Sequence, residues 1–284
     1  MTLIINLFDS NFSHLSTPDG DYSVAGHPNS LKKPKYIKYV RNKLEWDGIT
    51  IFTDRFLNRS VIESVSSKYK IGWHLERIYG VPGDFETYCD LLDFTLTNDE
   101  ILLSRYPVNT KFVPFGGGWI REENQRVDKK NKLVSIIYSS KTAHPGHRLR
   151  HQVARTIKGI SLYGSGSPTP IRIKEDGLSE YMFSIVIENI KVNNYFTEKL
   201  IDSFLTGTVP IYWGCPNIGN FFDIDGMIIF NNIEELRTIL DDLTPEKYNN
   251  NLDLINKNFE LSKEYEIPED WLYSKIFSLY ENKT

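Results

Sequence analysis

Between residues 183 and 214 the chain reads FSIVIENIKVNNYFTEKLIDSFLTGTVPIYWG, and its ionisable and amide side chains gather at two points in that run. Glu188 and Asn189 close an apolar, β-favouring stretch at 183–187, and Glu198–Lys199 open a helix-period segment at 197–205 that stops before Gly207. Polar groups at the carboxyl end of a strand and in the first turn of the next helix suit an anion, because helix N-termini offer unpaired N–H groups and a positive dipole end. Lys199 is spaced to reach a phosphate, and Glu198 to accept hydrogen bonds from sugar or ribose hydroxyls. The same residues also read as plain structure, Thr197–Glu198 as a helix start and Glu188 as a loop carboxylate.

A second set of donors follows the apolar run 132–138, where SSKTAHPGHRLR supplies Ser139, Ser140, Lys141, His144, His147, Arg148 and Arg150. Strand end, polar loop and helix start again make an anion cradle. Arg148 and Arg150 are two apart and cannot share a helix face, so only one of them reaches a ligand. GSGSP at 164–168 lacks the GKS/T ending of a phosphate loop and reads as a tight turn admitting another backbone. Gly116–Gly118 reads as a hinge or a close-approach loop. Glu76, beside Trp73 and Leu75, has surroundings that could raise its pKa and make it a general base, although a lone glutamate at a strand end is more often a surface residue. His74 reads as a packed side chain. Asp19–Asp21 and Asp223–Asp225 have the DxD form of a metal pair, but both sit in turn-forming contexts and read as turn residues.

The elements that must hold these groups alternate. Apolar runs at 3–7, 48–52, 70–74 and 94–97 predict strands in the first half, separated by helical spacing at 34–44 and 54–69. The pattern restarts with strands at 132–138, 160–163, 183–187, 209–213 and 227–230 and helices at 148–157, 197–205 and 233–243, and one or two amphipathic helices broken by Pro268 fill 251–280. Such alternation without internal repeats indicates an α/β protein with parallel sheets. The charged stretch REENQRVDKKNK places the boundary of two domains near Asp128.

At 284 residues the chain has room for two cores. A formal charge of -4 argues against a general polyanion binder, so no nucleic-acid partner is expected. There is no apolar run of membrane-spanning length and no signal-peptide pattern, so the expected location is cytoplasmic. Cys89 and Cys215 fit no metal or disulfide spacing.

The run from Phe183 onward, through GTVPIYWGCPNI, resembles without a gap the donor-binding signature of the α1,3/4-fucosyltransferases, glycosyltransferase family 10. SSKTAHPGHRLRHQVARTI resembles that family's donor loop and arginine helix, the arginine falling on Arg150. HLERIYGVPGDFETYCDLLDF resembles the segment carrying its catalytic glutamate, in the place of Glu76. This chain has Leu75–Glu76–Arg77 where the family commonly has Gly-Glu-Asn, and Ser139–Ser140–Lys141 where it often has Ser-Asn-x. It resembles the compact soluble versions of bacteria and large viruses, so the membrane anchor and stem of animal members are not expected.

The resemblance implies a GT-B fold, two Rossmann-like domains facing a central cleft: an acceptor-binding domain over 1–128, a nucleotide-sugar domain over 129–264, and a C-terminal helix over 265–284 returning to the first. It implies an inverting, metal-independent glycosyltransferase moving L-fucose from GDP-fucose to a glycan hydroxyl, with no cofactor beyond the nucleotide-sugar co-substrate. Glu76 would be the general base, Arg150 and Lys199 would stabilise the leaving diphosphate, and Glu198 would hold the ribose. Asn189 and Tyr195 would face the nucleotide or phosphates, and Glu188 the transferred sugar. The alternatives are the same fold with another GDP-sugar or a UDP-sugar, and a non-catalytic glycan-binding module.

Overall fold

The computed structural model describes residues 2–9, 22–26, 32–75 and 82–278. The chain divides into two compact units, one formed by Met1–Phe115 with Ile267–Thr284 and the other by Gly116–Glu266.

The first unit is built on six strands, β1 (Leu3–Phe8), β2 (Ile37–Arg41), β3 (Glu45–Thr53), β4 (Ser66–Trp73), β5 (Phe94–Thr97) and β6 (Thr110–Phe112), all parallel in the order β2-β1-β3-β4-β5-β6. Successive strand residues face opposite sides, so Leu7 and Ile51 belong to one core cluster and their neighbours Phe8 and Phe52 to another. The helices α1 (Arg59–Glu63) and α2 (Glu100–Arg105) are capped by Asn58 and Asp99, which accept from the amides of Val61 and of Ile101 and Leu102. Helical spacing over 34–44 proves misleading, because residues 37–41 form the edge strand β2. Ile37 and Tyr39 turn inward and Lys38 outward, a period of two, in register with Leu3–Leu7. Short β-branched and aromatic segments satisfy both periods, and pairing with β1 decides between them.

The C-terminal segment belongs to this first unit. Leu272, Ile276 and Phe277 join the core cluster of Ile5, Leu7, Ile71 and Trp73. Glu269, fully buried, accepts hydrogen bonds from Val24 N (2.6 Å), Ser23 Oγ (2.7 Å) and Tyr39 OH (3.1 Å).

The second unit carries β7 (Lys132–Ile137), β8 (Ser161–Tyr163), β9 (Tyr181–Ile187), β10 (Val209–Trp213) and β11 (Ile228–Ile229), parallel in the order β11-β10-β9-β7-β8. The helices α3 (Pro145–Thr156), α4 (Glu198–Leu205), α5 (Ile233–Asp241), α6 (Pro245–Asn249) and α7 (Leu252–Lys263) follow, and α8 (Pro268–Leu272) lies in the first unit. Every residue of β9 is buried, as expected of a central parallel strand covered on both faces. From β7 the chain steps outward to β8 and then crosses back to lay β9 on the other flank of β7. The carboxyl ends of β7 and β9 therefore form a topological switch point, where connections leave in opposite directions and open a crevice for a ligand.

Candidate functional site

The two polar segments singled out in the sequence leave the sheet at that switch point, residues 139–144 after β7 and residues 188–197 after β9. Gly146, in the first turn of α3, is the contact that draws them together. Its N–H donates to Asn189 O (2.9 Å), and a Cβ on it would lie 1.7 Å from Glu188 O, so only glycine lets the helix come this close. One turn further on, buried Arg150 donates through Nε to Ile187 O (2.9 Å) and through a terminal nitrogen to Asn189 Oδ1 (2.8 Å). Arg148 faces the other way, exposed, and ties down the loop by donating to the carbonyls of Thr142 and Ala143. Of the two arginines only Arg150 is at the strand end, as their spacing requires.

Glu188 is fully enclosed, and both its oxygens are engaged: Oε1 accepts from Thr197 N (2.9 Å) and Oε2 from Thr197 Oγ1 (2.8 Å). Burial pushes its carboxyl pKa up, against the opposing pull of Lys199, whose Nζ lies 3.8 Å away. The carboxylate thus ties the end of β9 to the cap of α4, where Thr197 Oγ1 receives Lys199 N (3.4 Å). Lys199 Nζ also donates to Thr197 Oγ1 (3.1 Å) and Glu198 Oε1 (3.0 Å). Glu198 behaves oppositely to Glu188. Burial opposes its charge too, but Lys199 and Lys174 overcome this and hold its pKa down to about 2. Tyr195 is half-buried, its hydroxyl 3.5 Å from Asn189 Nδ2.

His147 lies beside these groups. Its Nδ1 accepts from His144 N (3.2 Å), and burial together with Arg150, His144, Lys199 and Lys141 lowers its pKa to about 4, so the ring is neutral at physiological pH. The neutral imidazole thus lies within the field of Arg150 and Lys199, whose charges are balanced within the protein by Glu188 and Glu198.

The remaining motifs resolve individually. GSGSP brings backbone close, as expected, with Gly166 N donating to Tyr138 O (3.1 Å) and Ser165 Oγ accepting from Ser140 N (3.3 Å). The 116–118 glycines make a close-approach loop inside the second unit, Gly117 N donating to Tyr265 O (2.9 Å) and Gly116 bridging to Thr197. Asp223 caps a turn by accepting from Asp225 N (3.1 Å) and pairs with Lys257. His74 is packed, against Thr97 and Tyr88. Among the described residues, no three His, Cys, Asp or Glu side chains are grouped as a metal site, and no helix is long and apolar enough to cross a membrane. Glu76, Asp19 and Asp21 lie outside the described residues.

Arg150, Glu188, Asn189, Tyr195, Glu198 and Lys199 are therefore brought to one strand end. The model of glycosyltransferase family 10 (fucosyltransferase), C-terminal part, matches residues 127–279, which contain all six. The chain belongs to glycosyltransferase family 10. Among its relatives, the Helicobacter pylori α-(1,3)-fucosyltransferase FucT is 30% identical over 156 residues, 54% of this chain and 31% of that protein. The Mus musculus α-(1,3)-fucosyltransferase 4 is 29% identical over 122 residues, 39% of this chain and 28% of that one. The aligned part is thus less than a third of either curated relative. Among solved structures, an α1,3-fucosyltransferase with GDP superposes with a TM-score of 0.58 at 16% identity, covering 99% of this chain and 89% of that one. An α1,3-fucosyltransferase with GDP-fucose gives 0.56 at 15%, covering 99% and 90%. These likenesses establish the fold, α/β of GT-B type with two Rossmann-like units.

In this family-10 chain three further residues surround Glu198 that sequence reasoning missed: Lys174, Asp202 and Trp119. Lys174 Nζ lies 3.6 Å from Glu198 Oε1 and 3.0 Å from Asp202 Oδ2, over the Trp119 ring at 4.3 Å. A lone lysine in a turn-rich connection carries no spacing signal. Asp202 reads as a polar position of α4, and only the fold shows it to be buried.

Proposed function

We propose that this protein transfers L-fucose from GDP-fucose to a hydroxyl of a glycan, with inversion at the anomeric carbon and without a metal. The observation that carries the reading is the convergence of Arg150, from the second turn of α3, and Lys199, from the first turn of α4, on one strand end beside a neutral His147. Two cationic side chains and two helix N-termini stabilise the charge that develops on a departing diphosphate. Glu198, kept ionised by its lysines, accepts hydrogen bonds from the ribose hydroxyls, and Asn189 and Tyr195 line the nucleotide or phosphates. Glu188, assigned to the sugar on resemblance, is taken instead as the brace that presents Thr197 and Lys199, since both its oxygens are engaged within the protein. Glu76, by its place in the family's glutamate segment, acts as the base: it takes the acceptor's hydroxyl proton as that oxygen attacks the fucosyl carbon and GDP leaves.

The test is transfer from GDP-fucose to a panel of oligosaccharides, with GDP binding measured in parallel. Wild type turns over, and Glu76→Ala abolishes turnover while GDP binds nearly as before. Stabilisation by UDP-sugars and not by GDP-fucose would overturn the donor assignment. Binding without turnover for any donor and glycan would make the protein a glycan-binding module.

A further inference from the structure

Glu198 and Asp202 are four apart on α4 and share a face, an arrangement in which two carboxylates repel. Both are buried, Asp202 completely. The charge that reconciles them comes from outside the helix, as Lys174 Nζ reaches Asp202 Oδ2 at 3.0 Å and Glu198 Oε1 at 3.6 Å. Burial works against the Lys174 ammonium, but the two carboxylates hold its pKa above the ordinary lysine range. Asp202 uses its other oxygen to accept Trp119 N (2.7 Å), and the Trp119 ring lies under Lys174. Trp119 directly follows the glycine loop, whose Gly116 bridges to Thr197, the residue before Glu198. The contacts therefore run from the Glu198 carboxylate through Lys174, Asp202 and residues 116–119 back to Thr197. Apolar side chains of similar volume would pack this face of α4 at least as stably as a buried ion cluster does, so stability alone is a poor account of it.

We propose that Lys174, with Asp202 behind it, is a positioning residue that fixes the Glu198 carboxylate in the orientation that recognises the donor's ribose hydroxyls. Lys174 acts through Glu198 and does not itself touch the nucleotide. This rests on the reading of Glu198 as the ribose contact. Lys199 cannot substitute, since its Nζ is shared among Thr197, Glu198 and Glu188 and the same ammonium serves the diphosphate.

The experiment is calorimetric binding of GDP and of 2′,3′-dideoxy-GDP to the full chain, as wild type, Lys174→Met, Lys174→Arg, Lys174→Met/Asp202→Asn and Glu198→Gln. Wild type is expected to prefer GDP by at least about tenfold, the scale of a lost hydrogen bond to a charged group. Lys174→Met should bring that preference to within about threefold, as Glu198→Gln does, and Lys174→Arg should restore most of it. The double variant removes the unpaired aspartate, so it keeps the chain folded and still loses the preference. A uniform weakening of both nucleotides, with the preference intact in Lys174→Met or in the double variant, would show a merely structural role and overturn the proposal. A wild type that does not distinguish the two nucleotides would instead refute the ribose reading of Glu198, and the inference with it.

Discussion

Glu188 and Glu198 lie on either side of one loop, both buried, and the structure gives them opposite relations to their own charge. For Glu198 the pKa falls from the ordinary 4.5 to about 2, because Lys199 and Lys174 outweigh the cost of burial. At about 1.4 kcal/mol per unit, its ionisation stabilises the fold by about 3 kcal/mol at neutral pH. A depressed pKa contributes stability that is present above 4.5 and lost as pH falls through the folded value. By linkage most of it remains at pH 4 and less than half at pH 3. Glu198→Gln, of nearly identical shape, should therefore be less stable than wild type by about 3 kcal/mol at pH 7, and the gap should close on acidification along that curve. For Glu188 burial raises the pKa, so the sign reverses: the contribution is complete below 4.5 and is lost as pH rises through the folded value. Glu188→Gln should therefore lose less stability than Glu198→Gln at pH 7, since its amide oxygen still accepts from Thr197 N and it removes a carboxylate whose charge burial disfavours. The assay is urea denaturation of the ligand-free protein at pH 7, 5, 4 and 3. A Glu198→Gln protein as stable as wild type at pH 7, or a gap that does not change with pH, would refute the electrostatic account of this loop.

Two other outcomes follow from the packing at the switch point. Arg150→Lys loses the fork that holds Ile187 O and Asn189 Oδ1, so GDP affinity by calorimetry should fall at least about tenfold and stability by about 2 kcal/mol; unchanged affinity would remove Arg150 from the diphosphate site. Gly146→Ala places a methyl 1.7 Å from Glu188 O, against backbone of residues 188 and 189 that has no side chain to rotate away, and should destabilise by about 3 kcal/mol or more in a thermal melt. Its control, Gly159→Ala, has nothing within 4 Å and only a left-handed φ of 79° to resist it, about 1 kcal/mol.

Much of the second unit is legible from local pattern. The run Phe183–Ile187 is apolar but for Ser184 because β9 is buried on both faces, and Glu188 breaks it where the strand emerges at the switch point. The start of α4 is written as Thr197–Glu198, and the cap hydrogen bond is there. The choice of Arg150 over Arg148 needed only helix geometry and the family resemblance. In the first unit the same reasoning failed at residues 34–44, where a five-residue segment fits two periods and only pairing with β1 selects the strand.

What the amino-acid sequence determined by itself is the inventory and the local geometry: alternating elements, polar strand ends, a capped helix, and a family whose signature runs through 183–214. These are short-range properties, set by side-chain period and backbone chemistry within a few residues. Which groups meet was decided by tertiary structure alone. The crossover that places β9 beside β7 brings Gly146 against Glu188, and the connection from β8 to β9 carries Lys174 to Asp202 and Glu198. Whether a carboxylate is held ionised like Glu198 or resists its charge like Glu188 depends on through-space distances to lysines and on the depth of burial, and neither quantity is a function of separation along the chain.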